Sequence, residues 1–149
     1  MGYIPVTVTP TITAGAYGAG DVVGGVQEIP VNSYSGVIKQ INVTDDNDVK
    51  AEITLYFFNA VPTAILDNAA YAPAIADLKK MVGLVVVAAA NYTTVNGNAW
   101  AFKAGSAVDI GYALAESGVP KLYMYAVCTA TPTYAAVTDL QFRFLIEPK

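Results

Sequence analysis

The chain has 149 residues, a net charge of −4 and no histidine, with 54% apolar and only 13% charged side chains. That length suits one domain, which buries about 70% of its unfolded surface and needs no metal or disulfide to fold. The basic residues are dispersed and form no stripe that would neutralise phosphates, which points away from nucleic acid as a partner.

Tyr3–Val8 reads as a first strand, with Pro5 marking an edge position. Residues 9–25 are rich in Thr, Ala and Gly and read as an irregular arm or long loop ending in a Gly24-Gly25 turn. Val26–Val31 is a weak strand and Asn32–Gly36 a loop. Val37–Thr44 reads as a strand with Val37, Ile41 and Val43 on one face, and Lys39 snorkelling at its edge. After the polar turn Asp45–Asp48 the clearest alternation begins. Val49, Ala51, Ile53, Leu55 and Phe57 point one way, and Lys50, Glu52, Thr54, Tyr56 and Phe58 the other. The turn between these two strands predicts an antiparallel hairpin. The aromatic end of the second strand predicts cover on both faces.

Tyr71, Ile75, Leu78 and Val82 then recur at helical spacing. Asp67 before them and Lys79-Lys80 after them match a helix dipole, so a short helix is expected over Pro73–Lys80. Gly83–Ala89 is apolar and β-branched, the pattern of a strand buried on both faces. Asn96-Gly97 between Asn91–Val95 and Asn98–Phe102 predicts a hairpin with a two-residue primed turn. Ala107–Leu114 places Val108, Ile110, Tyr112 and Leu114 on one face. Lys121–Thr129 reads as a central strand, with Leu122, Met124, Ala126 and Cys128 opposite Tyr123, Tyr125 and Val127. Leu140–Glu147 alternates strictly. Eight or nine strands and one short helix predict an all-β antiparallel sandwich, with the jelly roll as the leading topology.

Few motifs carry chemistry. Without histidine the commonest general base and metal ligand are missing, and no paired carboxylates or activated nucleophile stand out, so no enzyme, cofactor or metal is expected. Gly18–Gly24 departs by one residue from a dinucleotide fingerprint, and no amphipathic helix follows. Asp45-Asp46-Asn47-Asp48 has calcium-type oxygens but lacks the Gly and Glu of the loop motif, and reads as a solvated turn. Cys128 lies in an apolar run and reads as a buried small side chain. Asn42-Val43-Thr44 and Asn91-Tyr92-Thr93 match the glycosylation pattern by chance. Trp100, with ten tyrosines in the chain, reads as packing or as a sugar-stacking platform. Met1-Gly2-Tyr3 lacks a basic start and a long apolar core, and the longest apolar run, Met81–Ala90, falls short of the ~20 residues that cross a bilayer. A soluble chain with no membrane partner, made in a cytoplasm, is expected.

Three segments carry a resemblance: Gly-Ala-Tyr-Gly-Ala-Gly-Asp-Val-Val-Gly-Gly (Gly15 to Gly25); Ile53–Phe58 leading to Pro62-Thr63 and Asp67-Asn68-Ala69-Ala70; and the loop Thr129–Tyr134 before the last strand. In these the chain resembles small β-sandwich virion proteins of tailed bacteriophages. The resemblance implies a jelly-roll capsid decoration (cement) protein, sitting as a homotrimer on the lattice of the major capsid protein, with no active-site residues. The expected division is then an N-terminal strand and flexible arm over 1–20 and a single sandwich over 21–149. Tyr3, Ile4, Val6, Val8 and Ile12 of the arm are candidate capsid contacts. The alternative is a tail or host-adhesion module that binds carbohydrate, which an exposed Trp100 among unpaired polar neighbours would favour.

Overall fold

The alternating segments become strands, and their register decides which sheet each one joins. The computed structural model describes residues 2–149. Its strands are β1 (Ile4–Val8), β2 (Val22–Pro30), β3 (Ser35–Asp45), β4 (Ile53–Phe58), β5 (Met81–Val87), β6 (Tyr92–Val95), β7 (Asn98–Ala104), β8 (Ile110–Ala113), β9 (Lys121–Cys128) and β10 (Leu140–Pro148), with one α-helix among the described residues, α1 (Ile75–Leu78), and two short 3-10 turns. One sheet has the order β1-β10-β3-β7-β6, with β8 also paired to β3; the other has the order β2-β9-β4-β5. Every pairing is antiparallel. β7 lies along the second half of β3 and β8 along the first, so the two share the place of one long strand. The first strand pairs with the last, and the chain alternates between layers except at β4–β5 and β6–β7–β8. This is jelly-roll connectivity.

The main core lies between the layers. Ile38, Ile41, Val43, Leu140, Phe142 and Phe144 of the first sheet meet Ile53, Leu55, Phe57, Leu122, Met124 and Ala126 of the second. Phe57 and Phe144 cross it edge to face, with ring centroids 5.8 Å apart. A smaller cluster of Val22, Phe58, Tyr123, Tyr125 and Val127 lies on the outer side of the second sheet, covered by Ile65 and Tyr71 of the 59–80 segment. The cover accounts for the doubly buried aromatic end of β4. Tyr125 fastens it, its hydroxyl accepting from the Ile65 N–H (3.0 Å) and donating to the Thr63 carbonyl (2.7 Å). Asp77 fastens it again, one carboxylate oxygen accepting from the Thr63 N–H (3.0 Å) and from Lys80 Nζ (3.3 Å).

Several local expectations hold. The Asn96-Gly97 turn has φ of 50° and 80°, the left-handed pair that a type I′ hairpin needs. β9 is central and buried on both faces, and β10 alternates as its sequence does.

Four expectations are corrected. β3 and β4 are not a hairpin: the chain crosses between sheets at 46–52, and Asp45 shapes the crossing by accepting the N–H groups of Asn47, Val49 and Lys50. The helix is four residues long, and Ile75 and Leu78 face outward instead of into the core. β5 is an edge strand whose Leu84 and Val86 are exposed, so it is buried on one face only. The flexible arm is instead part of the sandwich. β1 pairs with β10 from Ile4↔Ile146 to Val8↔Phe142, and residues 12–17 are tied down by Ile12 N–H to Val137 O and Tyr17 N–H to Pro132 O. Met1, the first residue of the expected arm, lies outside the described residues.

Candidate functional site

Antiparallel register sorts the outward side chains of the first sheet into rows. One row runs Thr7, Arg143, Asn42, Phe102 across β1, β10, β3 and β7. The next runs Gln141, Thr44, Trp100, Thr93. A third runs Pro5, Leu145, Gln40, Ala104. Alternation along β7 turns Ala99 and Ala101 into the core and puts Trp100 and Phe102 on the outside.

Trp100 and Phe102 are 43% and 45% exposed. Their rings lie nearly parallel, at 19° with centroids 5.8 Å apart, an offset stack that makes one aromatic ridge of the two exposed side chains. Asn42, between Phe102 and Arg143, is 8% exposed. Its Oδ1 accepts from Gln40 Nε2 at 2.9 Å. Gln141 Nε2 donates to Thr9 Oγ1 at 3.3 Å. Arg143, the chain's sole arginine, is exposed; among the described residues the four ion pairs all use lysine and leave it without a counter-ion.

Three further exposed apolar side chains, Leu66, Ile75 and Leu78, are carried by the 59–80 segment over the opposite sheet. A shallow cavity of about 290 Å³ lies at one end of the sandwich, lined by Val49, Lys50, Ala51 and Glu52 and by residues 130–132. Its acid, Glu52, accepts from Thr129 Oγ1 at 2.7 Å.

The acidic turn is built for structure. Asp45 is buried and its oxygens receive three backbone N–H groups. Asp139 does the same for Ala135 and Ala136 and also takes the Asn47 side-chain amide. Among the described residues no group of three His, Cys, Asp or Glu is placed to hold a metal ion. Cys128 is buried, and burial raises its thiol pKa, so the sulfur is held as an unreactive thiol.

The five N-terminal candidates separate. Val6, Val8 and Ile12 are core side chains and Ile4 is half-buried, so in this fold only Tyr3 is presented outward. The sequence singled out Trp100 but missed Phe102 and Arg143. Alternation within each strand marks both as facing the other way from the core residues, but the rows that gather them come from pairings far apart in the chain.

Among the described residues no helix is long and apolar enough to cross a membrane. No protein-family model matches the chain, and no curated protein sequence matches it.

Proposed function

We propose that the chain is a structural virion protein of the capsid-decoration type, made in a host cytoplasm, which docks as a homotrimer on the major capsid protein lattice and stabilises the phage head. The observation that carries this is the distribution of exposed apolar side chains. A charge-poor jelly roll displays Trp100 and Phe102 over one sheet and Leu66, Ile75 and Leu78 over the other, and apolar surface gathered in this way is the mark of a face that a partner covers. A lattice partner and a second copy together account for two such faces. Cryo-electron microscopy of the assembled particle tests it. Density for this sandwich in threefold groups on the shell is the expected result; density confined to the tail, or a monomer on the shell, overturns the corresponding part.

The carbohydrate-binding alternative has one observation in its favour: Trp100 is exposed, and the amide side chains of Gln40 and Asn42 lie on the same face. The ridge geometry weighs against it. A sugar ring stacks on a free aromatic face, and Trp100 and Phe102 are stacked on each other with an offset. Retention of the protein on a glycan array, lost in Trp100→Ala, is the result that would favour it.

A further inference from the structure

We propose that the outer face of the first sheet is the capsid-docking surface, and that it receives a protein surface presenting one carboxylate flanked by aliphatic side chains. The inference rests on the virion reading above and adds the face and the chemistry of the partner.

The charge on this face decides what it receives. Arg143 sits on β10, with Thr7 beside it on one side and Asn42 on the other, both neutral. A guanidinium presents a planar fork that a carboxylate matches with two hydrogen bonds, and among the described residues no carboxylate fills that fork. The lysines of β3 and β7 are committed elsewhere: Lys39 Nζ lies 2.6 Å from Asp109, and Lys103 Nζ donates to the Val86 carbonyl at 2.9 Å. One free cation calls for one anion. A polyanion such as nucleic acid would require several cations along a track.

The composition of the face points to a protein partner. Tryptophan and arginine are the residue types that dominate binding energy at the centres of protein interfaces, where less critical contacts around them exclude water. Here the Trp100–Phe102 ridge and Arg143 are two strands apart, with Asn42 nearly buried between them. Thr44, Thr93, Gln141 and Thr7 surround them and form a neutral, hydrogen-bonding rim. A standing ridge fits between aliphatic side chains better than it supports a flat sugar. The Leu66, Ile75 and Leu78 side carries an exposed lysine, Lys79, but a point charge offers no planar fork and no aromatic pair stands beside it, so the fork together with the Trp100–Phe102 pair assigns the lattice contact to the Arg143 face.

The test uses phage heads assembled without this chain and measures occupancy by co-sedimentation over a range of salt concentrations. Wild type is compared with Arg143→Glu, Arg143→Lys and the double variant Trp100→Ala/Phe102→Ala. All these side chains are exposed, and melting curves confirm that each variant is folded. Arg143→Glu and the double variant are expected to weaken binding at least tenfold. Arg143→Lys should bind between Arg143→Glu and wild type, because it keeps the charge and loses the fork. If wild type saturates the heads and the variants do so equally, this inference is overturned and the virion reading stands. If wild type does not bind heads at all, the reading fails and the inference with it. Retention of wild type on acidic glycans, lost in Arg143→Glu and without head binding, assigns the face to a sugar and likewise overturns the inference.

Discussion

Asp67 shows how single side chains hold this molecule together. Its carboxylate accepts from Thr13 Oγ1 (2.6 Å), the Tyr17 hydroxyl (2.7 Å) and the Gly24 N–H (2.6 Å), fastening three points of the 13–24 stretch to a residue at least 43 positions further along the chain. Burial, and then the Asp67 carboxylate, hold the Tyr17 hydroxyl protonated far above the ordinary phenol range, so Tyr17 stays a donor. Asp67→Ala removes one acceptor from three donors and is expected to cost about 3 kcal/mol in urea unfolding, since a hydrogen bond to a charged group contributes about 1.5–3 kcal/mol and losses within one network are not additive. Asp77 makes stability depend on acid. The Thr63 N–H, and then Lys80, hold its carboxyl below the ordinary value of 3.8. A carboxyl lowered by folding stabilises the native state fully above its unfolded value, and that contribution is lost as the pH falls through the lowered value. The melting temperature of wild type should therefore exceed that of Asp77→Asn at neutral pH, and the gap should close below pH 3.8. A gap that widens in acid would mean that the sign is wrong.

Elements differ in how far their own sequence specifies them. β10 and β9 were legible because their alternation is strict and the layer they join is buried on the expected side. The β6–β7 hairpin was legible because Asn-Gly fixes the turn chemistry. The 45–52 crossing was not legible, since a polar turn between two strands looks the same whether the chain folds back in one sheet or passes to the other. The exposed side of β5 was hidden for a similar reason: seven apolar residues do not state which face a neighbouring layer covers. The inward placement of Val6, Val8 and Ile12 was hidden by the same ambiguity, because alternating apolar residues suit an arm that orders on a partner and equally a strand that pairs at home. The interaction face was half legible, through Trp100 alone. Pairing itself makes a local demand that the sequence only hints at. At Gly36, β3 lies between β8 and β10, and an added Cβ would sit 2.7 Å from both the Glu147 carbonyl oxygen and the Tyr112 hydroxyl. Gly36→Ala is therefore expected to destabilise the fold by about 1–3 kcal/mol through overpacking, read as a lower midpoint in urea at unchanged slope. An unchanged midpoint would show that the two strands part to make room.

At the scale of the whole molecule, the layers are assembled from segments far apart in the sequence. β10 lies between β1 and β3, and its Phe142, Phe144 and Ile146 form part of the central core. A chain cut before Leu140 keeps most of its residues but loses the strand that joins the beginning of the sequence to the rest of the first sheet. Such a truncation is expected to show exposed apolar surface by dye binding and no cooperative melt. A sharp transition in the truncated chain would mean that the second sheet and its cover form a stable unit alone. The same placement sets the timing of biogenesis. While the polypeptide is still being synthesised, β1 waits beside an empty position that only the much later β10 can fill, and at about 5–20 residues per second that wait lasts several seconds or more. Until β10 emerges, the nascent first sheet is incomplete and a client for holding chaperones.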